Sequence, residues 1–178
     1  MGGGRKMLLD VSSILKIQGA KIELDDNIGL HGAEFLGESY RFSEPLRIKG
    51  DIYNNGQSLT LNARVTGKVE TECARCLSPV VADVDIEIHE LLSRVEDGAS
   101  EDEDIILFDG HEVELDEIVA DNFLMNTSGK YLCSDGCMGL CPVCGSNLNE
   151  VDCGCDREYI DPRWLGLKDI MDRRDDEN

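Results

Sequence analysis

One cysteine-rich stretch constrains this chain more than any other feature. It runs from Cys133 to Cys155 (CSDGCMGLCPVCGSNLNEVDCGC) and holds six of the eight cysteines; the other two are Cys73 and Cys76. Cys141-Pro142-Val143-Cys144-Gly145 has the form of a metal-binding knuckle, because two thiolates separated by two residues can face one metal and the glycine permits a tight turn. The stretch is therefore expected to bind metal.

The cysteines form four close pairs, which is enough for two closed four-thiolate sites. We expect all eight to be ligands of two structural zinc ions: Cys73, Cys76, Cys133, Cys137, Cys141, Cys144, Cys153 and Cys155. The favoured pairing joins Cys141/Cys144 with Cys153/Cys155, so that Cys133/Cys137 meet Cys73/Cys76 and attach the C-terminal segment to the rest of the chain. An interleaved ligation is the open alternative.

Disulfides, an iron–sulfur cluster and a redox pair are the alternatives to structural zinc. Disulfides are typical of secreted proteins, yet residues 1–10 contain no apolar run of signal-peptide length, and cysteines this close make poor disulfide partners. Cys137, Cys141 and Cys144 have the spacing of the radical-SAM signature, so an iron–sulfur cluster is the alternative to zinc. A Cys73/Cys76 pair without metal would be a redox pair, with Arg75 lowering a thiol pKa.

A period-two pattern predicts a β-meander between residues 39 and 93. A strand beginning near Leu46 ends at Asn54-Asn55-Gly56, which is a strong hairpin signal. Cys73 and Cys76 lie at the next predicted hairpin tip, and Gly67 is expected to form a bulge or bend. Two longer alternating strands have apolar positions at Leu59, Leu61, Ala63, Val65, Val69, Val80, Ala82, Val84, Ile86 and Ile88.

The remaining elements are shorter. Residues 8–17 predict a strand and a helical turn capped by Ser12 or Ser13, and residues 21–24 and 105–108 predict short strands. A helix near 115–126 follows from the apolar face Leu115, Ile118, Val119, Phe123 and Leu124. Asp161 and Pro162 predict the start of a closing helix with a buried stripe of Leu165, Leu167, Ile170 and Met171.

The predicted fold class is α+β. Residues 1–6 form a flexible leader. Residues 7–130 form a mainly antiparallel β body, a meander or partly open barrel, with an acidic loop at 94–104 and the helix near 115–126. Residues 131–178 form the cysteine-rich zinc segment and the C-terminal helix.

Charge favours a protein partner over nucleic acid. The chain has 17 Lys and Arg against 37 Asp and Glu, a formal net charge of −20, and such a surface repels phosphate but suits a basic protein, ribosomal proteins included. No apolar run approaches the roughly 20 residues of a membrane span. Direct RNA contact would require a local basic patch, and the candidate residues are Arg41, Arg47, Lys49, Arg64 and Lys68. The alternative is that these residues are ordinary charges on a strand face.

No pattern of catalytic residues is present in the sequence. His31, His89 and His111 are widely spaced, and there is no nucleophile elbow or phosphate-binding glycine loop. If every cysteine binds metal, no thiol remains as a nucleophile. The chain is expected not to be an enzyme.

Two groups of residues resemble one bacterial family. Cys73-Ala74-Arg75-Cys76-Leu77, after a long strand, resembles the CxRCL signature of the YceD family, also called the large ribosomal RNA subunit accumulation proteins. The run from Gly139 to Asn149, with Cys153-Gly154-Cys155 and Asp161-Pro162-Arg163-Trp164, resembles the C-terminal half of its cysteine-rich branch. The similarity covers almost the whole chain from Met7.

The resemblance implies a cytoplasmic, non-enzymatic factor for 23S ribosomal RNA accumulation and large-subunit assembly. A ribosomal protein or the pre-ribosomal large subunit is the implied partner, because the family's gene often neighbours that of a small zinc-ribbon protein of this subunit. Some members keep the first cysteine pair and lack the C-terminal cluster, which makes Cys73 and Cys76 candidates for the functional surface. Direct RNA binding and a zinc-dependent thiol redox switch are the alternative functions.

Overall fold

The computed structural model describes residues 6–30, 33–35, 38–95, 105–127 and 130–156. It divides the chain into two compact units: Met1–Ala74 with Ser78–Cys133, and Arg75–Leu77 with Ser134–Asn178, the second being described as far as residue 156. The predicted closing helix, most of the predicted acidic loop and His31 lie outside the described residues.

The first unit is mainly β-structure with one helix. Its elements are β1 (Leu8–Asp10), β2 (Lys21–Ile28), β3 (Ala33–Phe35), β4 (Glu38–Tyr40), β5 (Leu46–Asn54), β6 (Leu59–Glu72), β7 (Pro79–Arg94), β8 (Ile105–Phe108), β9 (Glu112–Glu114) and α1 (Leu115–Asn126). The predicted helix and the predicted strand at 105–108 are thus confirmed. The strand predicted at residues 21–24 is longer, and β9 was not predicted.

A five-stranded sheet with the order β2-β5-β6-β7-β8 forms most of the body. The neighbouring strands from β2 to β7 are antiparallel, which confirms the predicted meander, whereas β8 pairs with β7 in parallel. Two smaller antiparallel pairs, β1–β9 and β3–β4, complete the strands among the described residues. No described helix combines the length and apolar character that crossing a membrane requires.

One face of the sheet and one face of α1 enclose the core. Strand residues alternate between two faces, so every second residue of β5, β6 and β7 is buried or half-buried. Leu61, Val65 and Val69 of β6 are fully buried, and Ile118 and Phe123 of α1 join them in one cluster. Burial of each such side chain stabilises the fold by about 1.5–3 kcal/mol.

A bulge or bend was predicted at Gly67, and the bulge is wrong. The β6–β7 register continues through Gly67↔Val84 with no extra residue on either strand. A Cβ atom at Gly67 would overlap the side chain of Leu46, which is fully buried. Glycine at this position therefore provides space for a core leucine.

The helical turn after β1 is capped by a different residue from the one predicted. The Ser12 amide donates a hydrogen bond of 2.8 Å to Asp10 Oδ1, so the cap is the aspartate and not Ser12 or Ser13. Asn54 then fixes this turn to the β5–β6 hairpin. Its buried side-chain amide donates to the carbonyl oxygens of Ile14 and Leu15, at 2.8 and 2.9 Å.

Candidate metal centres

The structure brings the eight cysteines together in two groups of four. Within each group the sulfur atoms all lie within 4.8 Å of one another. The first group is Cys73, Cys76, Cys133 and Cys137, and the second is Cys141, Cys144, Cys153 and Cys155. This is the grouping that the sequence favoured over an interleaved one.

The sulfur spacing fits one tetrahedral ion in each group. Metal–sulfur bonds of about 2.3 Å place the sulfurs of a four-thiolate zinc site about 3.8 Å apart. A disulfide brings only two sulfurs together, whereas a four-thiolate metal site requires all four to be close to one another. Among the described residues, which include all eight cysteines, no disulfide bond is formed. Both groups can therefore hold a metal ion.

Backbone hydrogen bonds within the knuckle of the second group form its turn. The Cys141 amide donates to the Ser146 carbonyl oxygen and the Gly145 amide to the Cys141 carbonyl oxygen, both at 2.8 Å. Gly145 adopts a φ of +74°, which other residues rarely do. Backbone amides, that of Cys144 before that of Val143, donate to the Cys141 sulfur and lower the pKa of its thiol. The turn thus favours the thiolate that a metal requires.

Ser146 is a site residue that the sequence analysis missed. Its hydroxyl oxygen lies 3.2 Å from Cys144 Sγ. Hydrogen bonds to the Cys144 thiolate, first from this hydroxyl, then from the Ser146 amide and from the Cys141 thiol, lower the pKa of Cys144 to about 6. Cys155 donates to Cys144 in return, and this hydrogen bond raises the pKa of Cys155 to about 12. The position of a serine two residues after the knuckle cysteine was the available signal.

Arg75 and Asn149 position Cys137. The Arg75 guanidinium donates from Nη1 to the Cys137 carbonyl oxygen at 2.9 Å, so it contacts the backbone of this cysteine. Asn149 Nδ2 donates to Cys137 Sγ at 3.4 Å, while Asn149 Oδ1 accepts from the Met138 amide at 2.8 Å. Hydrogen bonds to a thiolate orient it, and they reduce the electron density that it donates to a bound metal.

As far as the structure describes it, the second unit has little apolar interior of its own. In its described part the buried apolar side chains are all cysteines, namely Cys76, Cys137 and Cys141. Of the larger apolar side chains there, Leu140 and Leu148 are half-buried, and the exposed ones are Leu77, Met138, Val143 and Val151. With so little aliphatic burial this part of the chain needs another source of folding free energy, which a four-thiolate metal site can supply.

The candidate basic patch is surrounded by carboxylates. Arg47, Lys49, Arg64 and Lys68 are exposed on the outer face of β5 and β6. Arg47 Nη2 lies 2.8 Å from Asp25 Oδ1 and Arg64 Nε lies 2.6 Å from Asp85 Oδ1, and Lys68 is directly opposite Asp83.

The outer face of β2, β5, β6 and β7 is acidic as a whole. Its basic residues are Lys21, Arg47, Lys49, Arg64 and Lys68, and its acidic residues are Glu23, Asp25, Asp51, Glu70, Glu72, Asp83, Asp85 and Glu87. Arg41 lies outside these strands and pairs with Glu70 through the backbone. Four of the five patch residues are therefore strand-face charges that carboxylates outnumber, and Arg47 and Arg64 are already in ion pairs.

The described histidines stand apart from the cysteines. His89 is exposed at the end of the acidic face, and its Nδ1 makes a hydrogen bond with Asn62 Oδ1, as expected for a surface residue. His111 is exposed in the turn before β9. Neither belongs to a group of potential metal ligands found among the described residues.

Together, the β body and the two four-cysteine groups define a β-rich protein with candidate structural metal sites. A family model described as "Large ribosomal RNA subunit accumulation protein YceD" matches residues 61–171, which is more than half of the chain and includes both cysteine groups. The chain belongs to the YceD family, as its cysteine motifs predicted.

Three mycobacterial proteins are similar over much of their length. Uncharacterized protein Mb2951c of Mycobacterium bovis and uncharacterized protein Rv2926c of Mycobacterium tuberculosis are each 28% identical over 173 residues, 93% of this chain and 81% of theirs. Uncharacterized protein ML1660 of Mycobacterium leprae is 25% identical over 131 residues, 71% of this chain and 59% of its own. No solved structure shows significant similarity to the chain.

Proposed function

We propose that this protein is a non-enzymatic, cytoplasmic factor for 23S ribosomal RNA accumulation and large-subunit assembly. It acts as an acidic, zinc-stabilised scaffold that binds a protein of the subunit or of its precursor. The observation that carries the proposal is the family match over residues 61–171, because the description of that family names large-subunit RNA accumulation.

Two zinc ions with structural roles are part of this proposal. A site closed by four thiolates leaves no coordination position for water or substrate, so it stabilises the fold and does not catalyse. Sulfurs within 4.8 Å of one another support a single ion in each group, since the cysteines of an iron–sulfur cluster bind different irons. Metal analysis of the native protein tests the point: we expect two zinc ions per chain, and iron with sulfide would contradict it.

A protein partner is favoured over naked RNA by the arrangement of charge. Affinity for RNA comes largely from Lys and Arg neutralising phosphates. On the outer face of the sheet the basic side chains are outnumbered by carboxylates, and the sequence as a whole carries a net charge of −20. A chain of this net charge would instead attract basic ribosomal proteins.

The test has a genetic and a biochemical arm. Deletion of the gene is expected to lower the ratio of 23S to 16S ribosomal RNA, and expression of the wild-type chain to restore it; an unchanged ratio would contradict the proposal. In sucrose gradients the protein is expected to co-sediment with large-subunit precursors. Retention of naked 23S RNA by the purified protein at physiological salt would favour direct RNA binding instead.

A further inference from the structure

The first unit contains a groove that the metal centres do not use. It has a volume of about 440 Å³ and lies between β8, β9 and the first two turns of α1. Its apolar lining includes the buried Val113 and Ile118 and the exposed Leu8 and Leu107, which are 51% and 52% accessible. The volume falls within the range of about 300–1,000 Å³ found for binding pockets.

Carboxylates surround this apolar floor. The lining also contains Asp109, Glu112, Glu114, Glu117 and Asp121, and no Lys or Arg. Glu114 forms an ion pair of 2.6 Å with Lys6. The other four have no ion-pair partner within the part of the chain that the structure describes. The groove thus combines an apolar floor with a negative rim on which one of the five carboxylates is paired.

We propose that this acidic groove binds a short basic segment of a protein partner, with an aliphatic side chain on the floor and flanking Lys or Arg side chains at the rim. The inference rests on the proposed function and specifies its contact surface. Exposed leucines in a pocket mark a binding surface, and the rim selects positive charge. RNA would be repelled by the same carboxylates.

The edge position of β8 supports a peptide as the occupant. Within the described residues β8 ends the sheet order, so the sheet uses the hydrogen-bonding groups on only one side of this strand. An extended peptide beside such an edge gains main-chain hydrogen bonds, and its alternate side chains point to opposite sides. Alternating basic and aliphatic residues would therefore match the rim and the floor.

A binding experiment with a defined probe tests the groove. The probe is a fluorescein-labelled peptide in which lysine and leucine alternate, titrated with the full-length zinc-loaded protein and followed by anisotropy. We expect Glu112→Lys/Asp121→Lys to weaken binding about tenfold, because both rim charges are reversed. The matched control is Glu23→Lys/Glu44→Lys, which makes the same change in net charge at exposed positions away from the groove and is expected to change affinity less than about twofold.

One further variant and a second peptide distinguish binding in the groove from general attraction to an acidic protein. Leu107→Ser is expected to weaken binding of the lysine–leucine peptide and to leave binding of a lysine–serine peptide unchanged. Equal losses in the rim and control variants, or equal affinity for the two peptides, would overturn the proposal. Circular dichroism of each variant must match the wild type, since Glu112 and Asp121 are exposed and their replacement should not unfold the chain.

Complementation distinguishes failure of this inference from failure of the proposed function. If deletion does not lower the 23S to 16S ratio, the proposed function fails. If deletion lowers it, the control variant is expected to restore the ratio and the rim variant to leave it low. Full restoration by the rim variant would overturn the groove as the contact surface while the proposed function stands.

Discussion

The two units of this chain differ in what holds each of them together. The first has a continuous core of aliphatic and aromatic side chains from β-strands and α1, including fully buried residues such as Ile52, Leu61 and Leu115. In the described part of the second, the only buried apolar side chains are cysteines. Hydrophobic burial therefore stabilises the first unit, and we expect metal–thiolate bonds to stabilise the second. Treatments that act on only one of these sources of stability should separate them.

Of the treatments proposed, metal removal should have the largest effect on the difference in stability between the two units. Structural zinc contributes an apparent 10–16 kcal/mol or so in zinc-finger peptides at pH 7. With a strong chelator we expect the amides of residues 134–156 to lose protection from hydrogen exchange, while those of β5 and β6 stay protected. Zinc addition should restore protection. Slow exchange at residues 134–156 in the chelated protein would show that metal does not stabilise the second unit.

Single cysteine substitutions test the two metal sites separately, because each removes a ligand from one group of four cysteines. Cys73→Ser is expected to release one of two zinc ions in native mass spectrometry and to accelerate amide exchange near Cys133 at least about tenfold, because a local opening becomes easier. Cys144→Ser is the matched variant: it should release the other ion and leave exchange near Cys133 unchanged. Faster exchange near Cys133 in Cys144→Ser would instead indicate interleaved ligation.

A core truncation should affect only the first unit. Leu61 is fully buried in β6, and Leu61→Ala is expected to lower the free energy of unfolding of this unit by about 2–5 kcal/mol. Val81→Ala, on the neighbouring strand but 62% exposed, should change it by no more than about 0.5 kcal/mol. Denaturant unfolding measures both values. An unchanged zinc content in each variant would show that the sites do not depend on the full stability of the core.

The smallest effect is expected on the outer face of the sheet. The hydrogen bond from the Arg64 guanidinium lowers the pKa of Asp85. Any stabilisation by this pair is therefore present above the unfolded-state pKa of Asp85 and is lost as pH falls through its folded-state value. Arg64→Gln should raise the pKa of Asp85 in an NMR titration, with little change in stability because both side chains are exposed. An unchanged pKa would mean that the pair does not persist in solution.

Local patterns were sufficient to predict some of this structure. Patterns long enough to be recognised in the sequence are the period-two runs of β5, β6 and β7 and the apolar face of α1. The close cysteine pairs indicated both groups of four. The parallel pairing of β8 and the existence of β9 could not be predicted, because strands of three or four residues show no period and their partners are set by tertiary packing. The acidic groove also depends on residues that only the fold brings together.

The pairing of β1 with β9 has a consequence for folding during synthesis. Leu8 lies opposite Glu114, and the Leu115 amide donates to the Met7 carbonyl oxygen at 3.0 Å, so the start of the body is completed by residues made about a hundred positions later. At roughly 5–20 residues per second, β1 waits about 5–20 s for its partner strand. During that interval the nascent chain presents Leu8 and Leu9 without their native strand, and the meander from β5 to β7 has time to form first.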